Sequence, residues 1–228
     1  MPPRSPGRAP RRSRRSAPAD DGTATTVLLV RHGRTPTTGS VLPGRAPGLH
    51  LSDDGRADAE RAAERIGRLP VEAVYASPLE RTRETAAPIA RATGRRVRTA
   101  KGLVECDFGE WTGSELAELR RLDVWTQVQS APSTFRFPAG ESFADMAHRV
   151  WSELQRLTAA HPGQTIVAVS HADPIKAAVA TATGVHLDLF QRIVISPCSI
   201  TILSFTHSGP IVLTVNSTGD DLSGLAPS

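Results

Sequence analysis

Two short apolar runs constrain what this chain can fold into more than any other feature. Val27-Leu28-Leu29-Val30 and Ile166-Val167-Ala168-Val169 lack the polar alternation of a half-exposed strand, so each reads as a strand buried on both faces. Such strands occur where helices cover both sides of a largely parallel sheet. Each run leads at once to a histidine, in Val30-Arg31-His32 and Val169-Ser170-His171. In a parallel α/β sheet the carboxyl ends of the strands share one rim, where ligands bind. If the two strands are neighbours, His32 and His171 face one pocket. A single histidine after a strand is more often structural; two in equivalent positions shift the balance toward function.

Helical patterns alternate with further strands, as an α/β domain requires. Ser52 caps a helix predicted to run to about Arg68, and Val71–Tyr75 is a short strand. Ser77-Pro78-Leu79-Glu80 reads as a helix start: Ser77 as cap, Pro78 in the first helical position, Glu80 completing a capping box. That helix is expected to end near Gly94, with a strand over Arg96–Thr99. A loop rich in Gly, Trp and acids covers 103–113, and a helix spans 114 to about 128. Residues 141–159 carry Phe143, Met146, Val150, Leu154 and Leu157 at helical spacing. A helix follows over Pro174–Thr183, with Pro174 at its first position. Ile193–Ile195, Ser199–Phe205 and Pro210–Val215 are expected as closing strands, the last two a hairpin around His207-Ser208-Gly209.

Charge is localised. The net charge of the 228 residues is +4, and residues 1–21 account for it, with six arginines against two acids; the rest holds 21 of each sign. No basic binding face is therefore implied for the folded part. Residues 1–24 lack apolar periodicity and are expected to be a disordered Arg/Pro/Ser-rich tail, residues 25–220 a single catalytic domain, and 221–228 a C-terminal tail. Two cysteines, Cys106 and Cys198, are too few for a disulfide framework and suggest a reducing, cytoplasmic setting. No apolar run approaches the ~18 residues of a membrane span.

Arg81 adds a third element to the rim. Helix N-termini favour anions, and an arginine there offers forked donors for phosphate. The competing use is a pair with Glu80 or Glu84 inside the helix. At this point the motifs become specific. Leu29-Val30-Arg31-His32-Gly33-Arg34-Thr35 resembles the signature of the histidine phosphatase superfamily, the phosphoglycerate-mutase-like group. Leu51–Gly55, Tyr75–Ala86, Leu103–Gly113 and Val167–His171 follow in family order. The resemblance covers about residues 25–215 and implies a three-layer α/β/α sandwich around a mostly parallel mixed sheet.

Carried onto this chain, the resemblance implies a metal-independent phosphomonoester hydrolase, without cofactor, acting on a small phosphorylated metabolite. His32 is implied as the nucleophile, with one ring nitrogen held by a backbone carbonyl. Arg31, Arg81 and His171 are implied to bind the phosphoryl oxygens, and Glu105 to act as acid and then base. Arg34, Thr38, Gly44 and Ala172 complete the implied substrate-binding set. Many relatives carry Glu at the position of Arg34 and Asn at that of Thr38, which bears on substrate identity. Asp173 is read as either orienting a neighbour or capping the next helix.

A phosphomutase would use the same phosphohistidine. The glycolytic mutases carry a longer insertion after the acid motif, whereas Gly113–Gly140 is compact here, which favours hydrolysis. Arg120, Arg121, Trp125, Phe135, Arg136 and Phe137 fall in this segment and are candidate lid residues; their sequence does not fix which of them face the pocket. His171-Ala172-Asp173 offers two ligands to a metal hydrolase, with no His-Glu-x-x-His or paired cysteines beside it. Ser170, His171 and Asp173 are too close in sequence for a triad, and no Gly-x-Ser-x-Gly is present. Nucleic acid is restricted to nonspecific contacts of the basic tail. A regulatory pseudoenzyme fits poorly with five catalytic positions in place. The sequence is compatible with a monomer or a homodimer.

Overall fold

The computed structural model describes residues 24–219. The basic tail expected over 1–24 lies outside the described residues except for Ala24, as does the C-terminal tail at 221–228. Six strands form one sheet: β1 (Thr25–Arg31), β2 (Val71–Ala76), β3 (Val97–Thr99), β4 (Thr165–Ser170), β5 (Ile200–Thr206) and β6 (Gly209–Ser217), in the order β3-β2-β4-β1-β5-β6. β1 lies directly beside β4 and parallel to it, Arg31 opposite Ser170. β2 and β3 extend the parallel part, while β5 and β6 close the other edge as an antiparallel hairpin.

Helices cover both faces of the sheet, so the period-2 alternation of each strand serves two cores. Leu28, Val30, Val167 and Val169 pack with Ala63 and Ile66 of α1 (Asp53–Ile66) and Ala86 and Ile89 of α2 (Glu80–Thr93). Val27, Leu29, Ile166 and Ala168 turn to the opposite side. There they meet Met146, Val150 and Leu154 of α5 (Phe143–Ala159) and Ala177 and Ala178 of α6 (Ala172–Thr183). This is the expected three-layer α/β/α arrangement. Leu154 is fully buried; its truncation to alanine is expected to cost about 2–5 kcal/mol, read as a lower urea midpoint.

The element boundaries differ from expectation in informative ways. The single helix expected over 114–128 is two short ones, α3 (Leu116–Leu119) and α4 (Trp125–Ser130). α2 starts at Glu80 without a side-chain cap, so Ser77 and Pro78 precede it and the expected capping box does not form. Pro174 occupies the third rather than the first position of α6, which begins at Ala172. The strand expected at Ile193–Ile195 is absent. Its backbone answers Arg31 instead: the Arg31 guanidinium donates to the Ile195 carbonyl at 2.7 Å, and Cys198 N–H donates to the Arg31 carbonyl at 3.1 Å.

Two glycines bring the loop after β1 against the start of α1. A Cβ on Gly33 would lie 2.5 Å from the Gly55 carbonyl oxygen, and one on Gly55 would lie 2.1 Å from that of Arg34. Both contacts exclude any side chain. The close crossing fixes His32 at the sheet rim, where its own N–H donates to the Ser170 carbonyl at 2.9 Å.

Candidate active site

The pairing of β1 with β4 sets the two histidines side by side, ring centroids 5.2 Å apart. His32 Nδ1 lies 2.8 Å from the Gly33 carbonyl. A carbonyl only accepts, so Nδ1 carries the proton and Nε2 keeps a free lone pair. Burial, then the charges of Arg31 and Arg81, hold the His32 pKa well below the usual imidazole range. The ring is therefore neutral and nucleophilic across ordinary pH.

Arg81 is fully buried and does not pair within its helix. One guanidinium nitrogen donates to the Gly44 carbonyl at 2.7 Å and to His171 Nδ1 at 3.3 Å. Its Nε and other terminal nitrogen, together with Arg31 Nε, are buried without partners. Buried unpaired donors are costly unless a ligand satisfies them. Glu84, the rival partner, instead accepts from Leu51 N–H at 2.8 Å and pairs with His50.

His171 Nδ1 accepts from Arg81, so Nε2 carries the proton and donates to Ser77 Oγ at 2.8 Å. Ser77, expected as a helix cap, is a histidine-orienting group. Its hydroxyl and Pro78 gave the same signal in sequence that a capped helix gives. Burial, followed by the neighbouring His32, Arg81 and Arg31, keeps His171 neutral as well.

Glu105 is almost fully buried, and its Oε1 accepts from Cys106 N–H at 2.9 Å. Oε2, 3.9 Å from His171 Nδ1, is left to carry a proton. Burial and then the Asp173 carboxylate raise the Glu105 pKa to about 7, against the pull of Cys106 N–H, Arg81 and Arg31. The loop that presents Glu105 is clamped by residues with no motif to announce them. Arg45 Nε and an Arg149 terminal nitrogen donate to the Glu105 carbonyl at 2.8 and 3.3 Å. Both arginines also bind the Glu141 carboxylate, at 2.9 Å in each case.

A cleft of about 280 Å³ opens over this rim and is lined by Arg31, His32, Thr38, Glu105 and Ala172, among others. Arg81 and His171 lie behind its floor, and Gly44 contributes its carbonyl to Arg81 rather than a face to the cleft. Arg34 is a correction: its exposed side chain leans toward Asp58 on α1, 3.9 Å away, and does not line the cleft. Its carbonyl is tied to Ser52 N–H at 2.9 Å, which turns the side chain outward over α1. Asp173 sits in the first turn of α6, lines the cleft and pairs with Lys176 at 3.2 Å. Of the lid residues, Trp125 and Phe137 reach the cleft; Arg120, Arg121 and Arg136 do not.

Such a rim can hold a tetrahedral oxyanion in front of a nitrogen nucleophile, with a carboxyl group on the far side able to hold a proton. The chain belongs to the histidine phosphatase superfamily (branch 1), whose family model matches residues 27–218. It is 31% identical over 198 residues to phosphoserine phosphatase 1 of Hydrogenobacter thermophilus, covering 84% of this chain and 92% of that protein. It is 34% identical over 205 residues to the bifunctional protein Rv2228c of Mycobacterium tuberculosis, covering 87% of this chain. The chain spans only 55% of the length of that relative. The native structure of a mycobacterial glucosyl-3-phosphoglycerate phosphatase shares its fold with a TM-score of 0.77 and 25% identity, over 85% of this chain and 99% of that one.

Proposed function

We propose that the protein is a phosphomonoester hydrolase that works through a phosphohistidine at His32 and needs no metal. The observation that carries this reading is the set of orphaned N–H donors on buried Arg81 and Arg31 beside a histidine whose Nε2 is free. His32 Nε2 attacks phosphorus as the bond from phosphorus to the ester oxygen breaks, and Glu105 Oε2 delivers its proton to the departing alkoxide. Water then attacks phosphorus, Glu105 takes the proton back, the bond to Nε2 breaks and phosphate leaves. Arg31 and Arg81 supply fixed positive charge to the transferring oxygens. An arriving dianion favours protonation of His171 Nδ1, which adds a further donor.

Small phosphorylated metabolites are the proposed substrates. No helix among the described residues is long and apolar enough to cross a membrane. Cys106 and Cys198 are both buried free thiols, which supports a reducing, cytoplasmic location. The test is hydrolysis of a generic phosphomonoester in excess EDTA, with vanadate as inhibitor. Full activity in EDTA and its loss on adding vanadate are expected. Loss in EDTA restored by a divalent ion would overturn the mechanism.

A further inference from the structure

Above the charged floor, one side of the cleft wall is apolar, while Thr35, Thr37, Thr38, Gln129 and Gln191 put polar groups on the rest. Val41 and Leu42 from the loop after β1, Phe108 from the acid loop, Leu116 of α3, and Trp125 and Val128 of α4 face the space that a leaving group would fill. The wall is fixed in place: the Trp125 ring stacks on Trp111 with centroids 6.3 Å apart, and Trp111 packs edge-on against Phe137 at 5.4 Å. The cations that the sequence placed in this lid point elsewhere. Arg120 and Arg121 are exposed outside the cleft, and Arg136 pairs with Asp145 at 2.5 Å.

Two cations line the cleft. Arg31 belongs to the floor. Lys176 Nζ is already held, by Asp173 Oδ1 at 3.2 Å and Gln191 Oε1 at 3.0 Å. A substrate carrying a carboxylate on its alcohol would lose water against these apolar side chains, meet the Asp173 carboxylate, and find no unpaired cation among the described residues that line the wall. An uncharged apolar alcohol meets none of these costs and gains from burial. The cleft volume of about 280 Å³ matches a leaving group of small-molecule size.

We infer that this cleft, taken as the phosphatase site proposed above, is built for phosphomonoesters of uncharged, apolar alcohols, and that Asp173 turns away carboxylate-bearing phosphates by occupying Lys176. The same pairing of Asp173 with Lys176 leaves no role for either as an anion receptor in the resting protein.

The test uses two substrates with the same primary leaving oxygen, hexyl phosphate and 6-phosphonooxyhexanoate, so the chemical step is matched. The full-length wild type is expected to show a kcat/KM ratio of at least about ten in favour of hexyl phosphate, the range that one desolvated or unpaired group commands. Asp173→Asn removes the negative charge beside Lys176 and is expected to shift that ratio about tenfold toward the carboxylated substrate. Asp173→Asn with Lys176→Met is expected to reverse the shift, and Trp125→Leu to lower hexyl phosphate turnover through KM. The readout is a ratio within each variant, so a change in overall activity or in folded fraction cancels. A wild-type preference for the carboxylated substrate, or a ratio unmoved by Asp173→Asn, overturns the inference. His32-dependent hydrolysis without preference overturns it alone. Turnover of either substrate that survives His32→Ala overturns the phosphatase reading and this inference with it.

Discussion

The floor and the wall of the cleft are held together by different physics. The floor is polar and buried: His32, Arg81, His171 and Glu105 are each fixed by a main-chain or side-chain hydrogen bond, and three buried guanidinium nitrogens have no protein partner among the described residues. The wall is apolar and fixed by packing, with Trp125, Trp111 and Phe137 in ring contact. Hydrogen bonds set a proton's position to a few tenths of an ångström, as transfer chemistry demands. Packing sets only shape and desolvation, which suffices to choose a leaving group. The proposed function therefore assigns the reaction to the floor and the choice of substrate to the wall.

Substitutions can break that division. His32→Ala is expected to lower kcat by about 10⁴-fold or more, measured as turnover of a saturating substrate, because among the described residues no other imidazole lines the cleft. Arg81→Ala removes the charge proposed to stabilise the transferring oxygens, and a loss of about 10²–10³-fold in kcat/KM is expected for every substrate alike. A loss confined to one substrate class would place Arg81 in recognition instead. Glu105→Gln is expected to slow alkyl phosphates about 10²-fold and aryl phosphates far less, since a good leaving group needs little protonation. In the wild type, kcat/KM for alkyl phosphates is expected to fall as pH rises through about 7, where Glu105 loses its proton. That limb is expected to vanish in Glu105→Gln.

Smaller effects sharpen the same comparison. Arg149→Met loosens the clamp on the Glu105 carbonyl, and about a tenfold loss on alkyl phosphates with a displaced pH limb is expected. Equal losses on alkyl and aryl phosphates would mean the network acts only on stability. Arg34→Ala is expected to change kcat/KM less than about twofold, because its exposed side chain lies outside the cleft.

The floor was largely legible in the sequence, and the wall was not. His32, Arg81, Glu105 and His171 sit in contiguous motifs at strand ends and a helix start, so local pattern and resemblance both reach them. Arg45 lies far in sequence from Glu141 and Arg149, and the three meet only in three dimensions, both arginines donating to the Glu105 carbonyl and to the Glu141 carboxylate. The wall combines residues 41–42, 108, 116 and 125–128, which share no helical or strand period. Sequence position placed Arg120, Arg121 and Arg136 in the lid but could not tell which way they turn. Ser77 was misread because a hydroxyl before a helix satisfies a cap and a histidine equally well. The strand expected at Ile193–Ile195 failed because Arg31 takes the Ile195 carbonyl that a ladder would have used.

The central claim, that His32 itself receives the phosphoryl group, is most directly tested by quenching the wild type in alkali during turnover of a radiolabelled phosphomonoester and mapping the label. An acid-labile, alkali-stable label on the peptide containing His32 is expected, absent from His32→Ala. Label on another residue, or turnover that inverts chirally labelled phosphorus by direct attack of water, would contradict it.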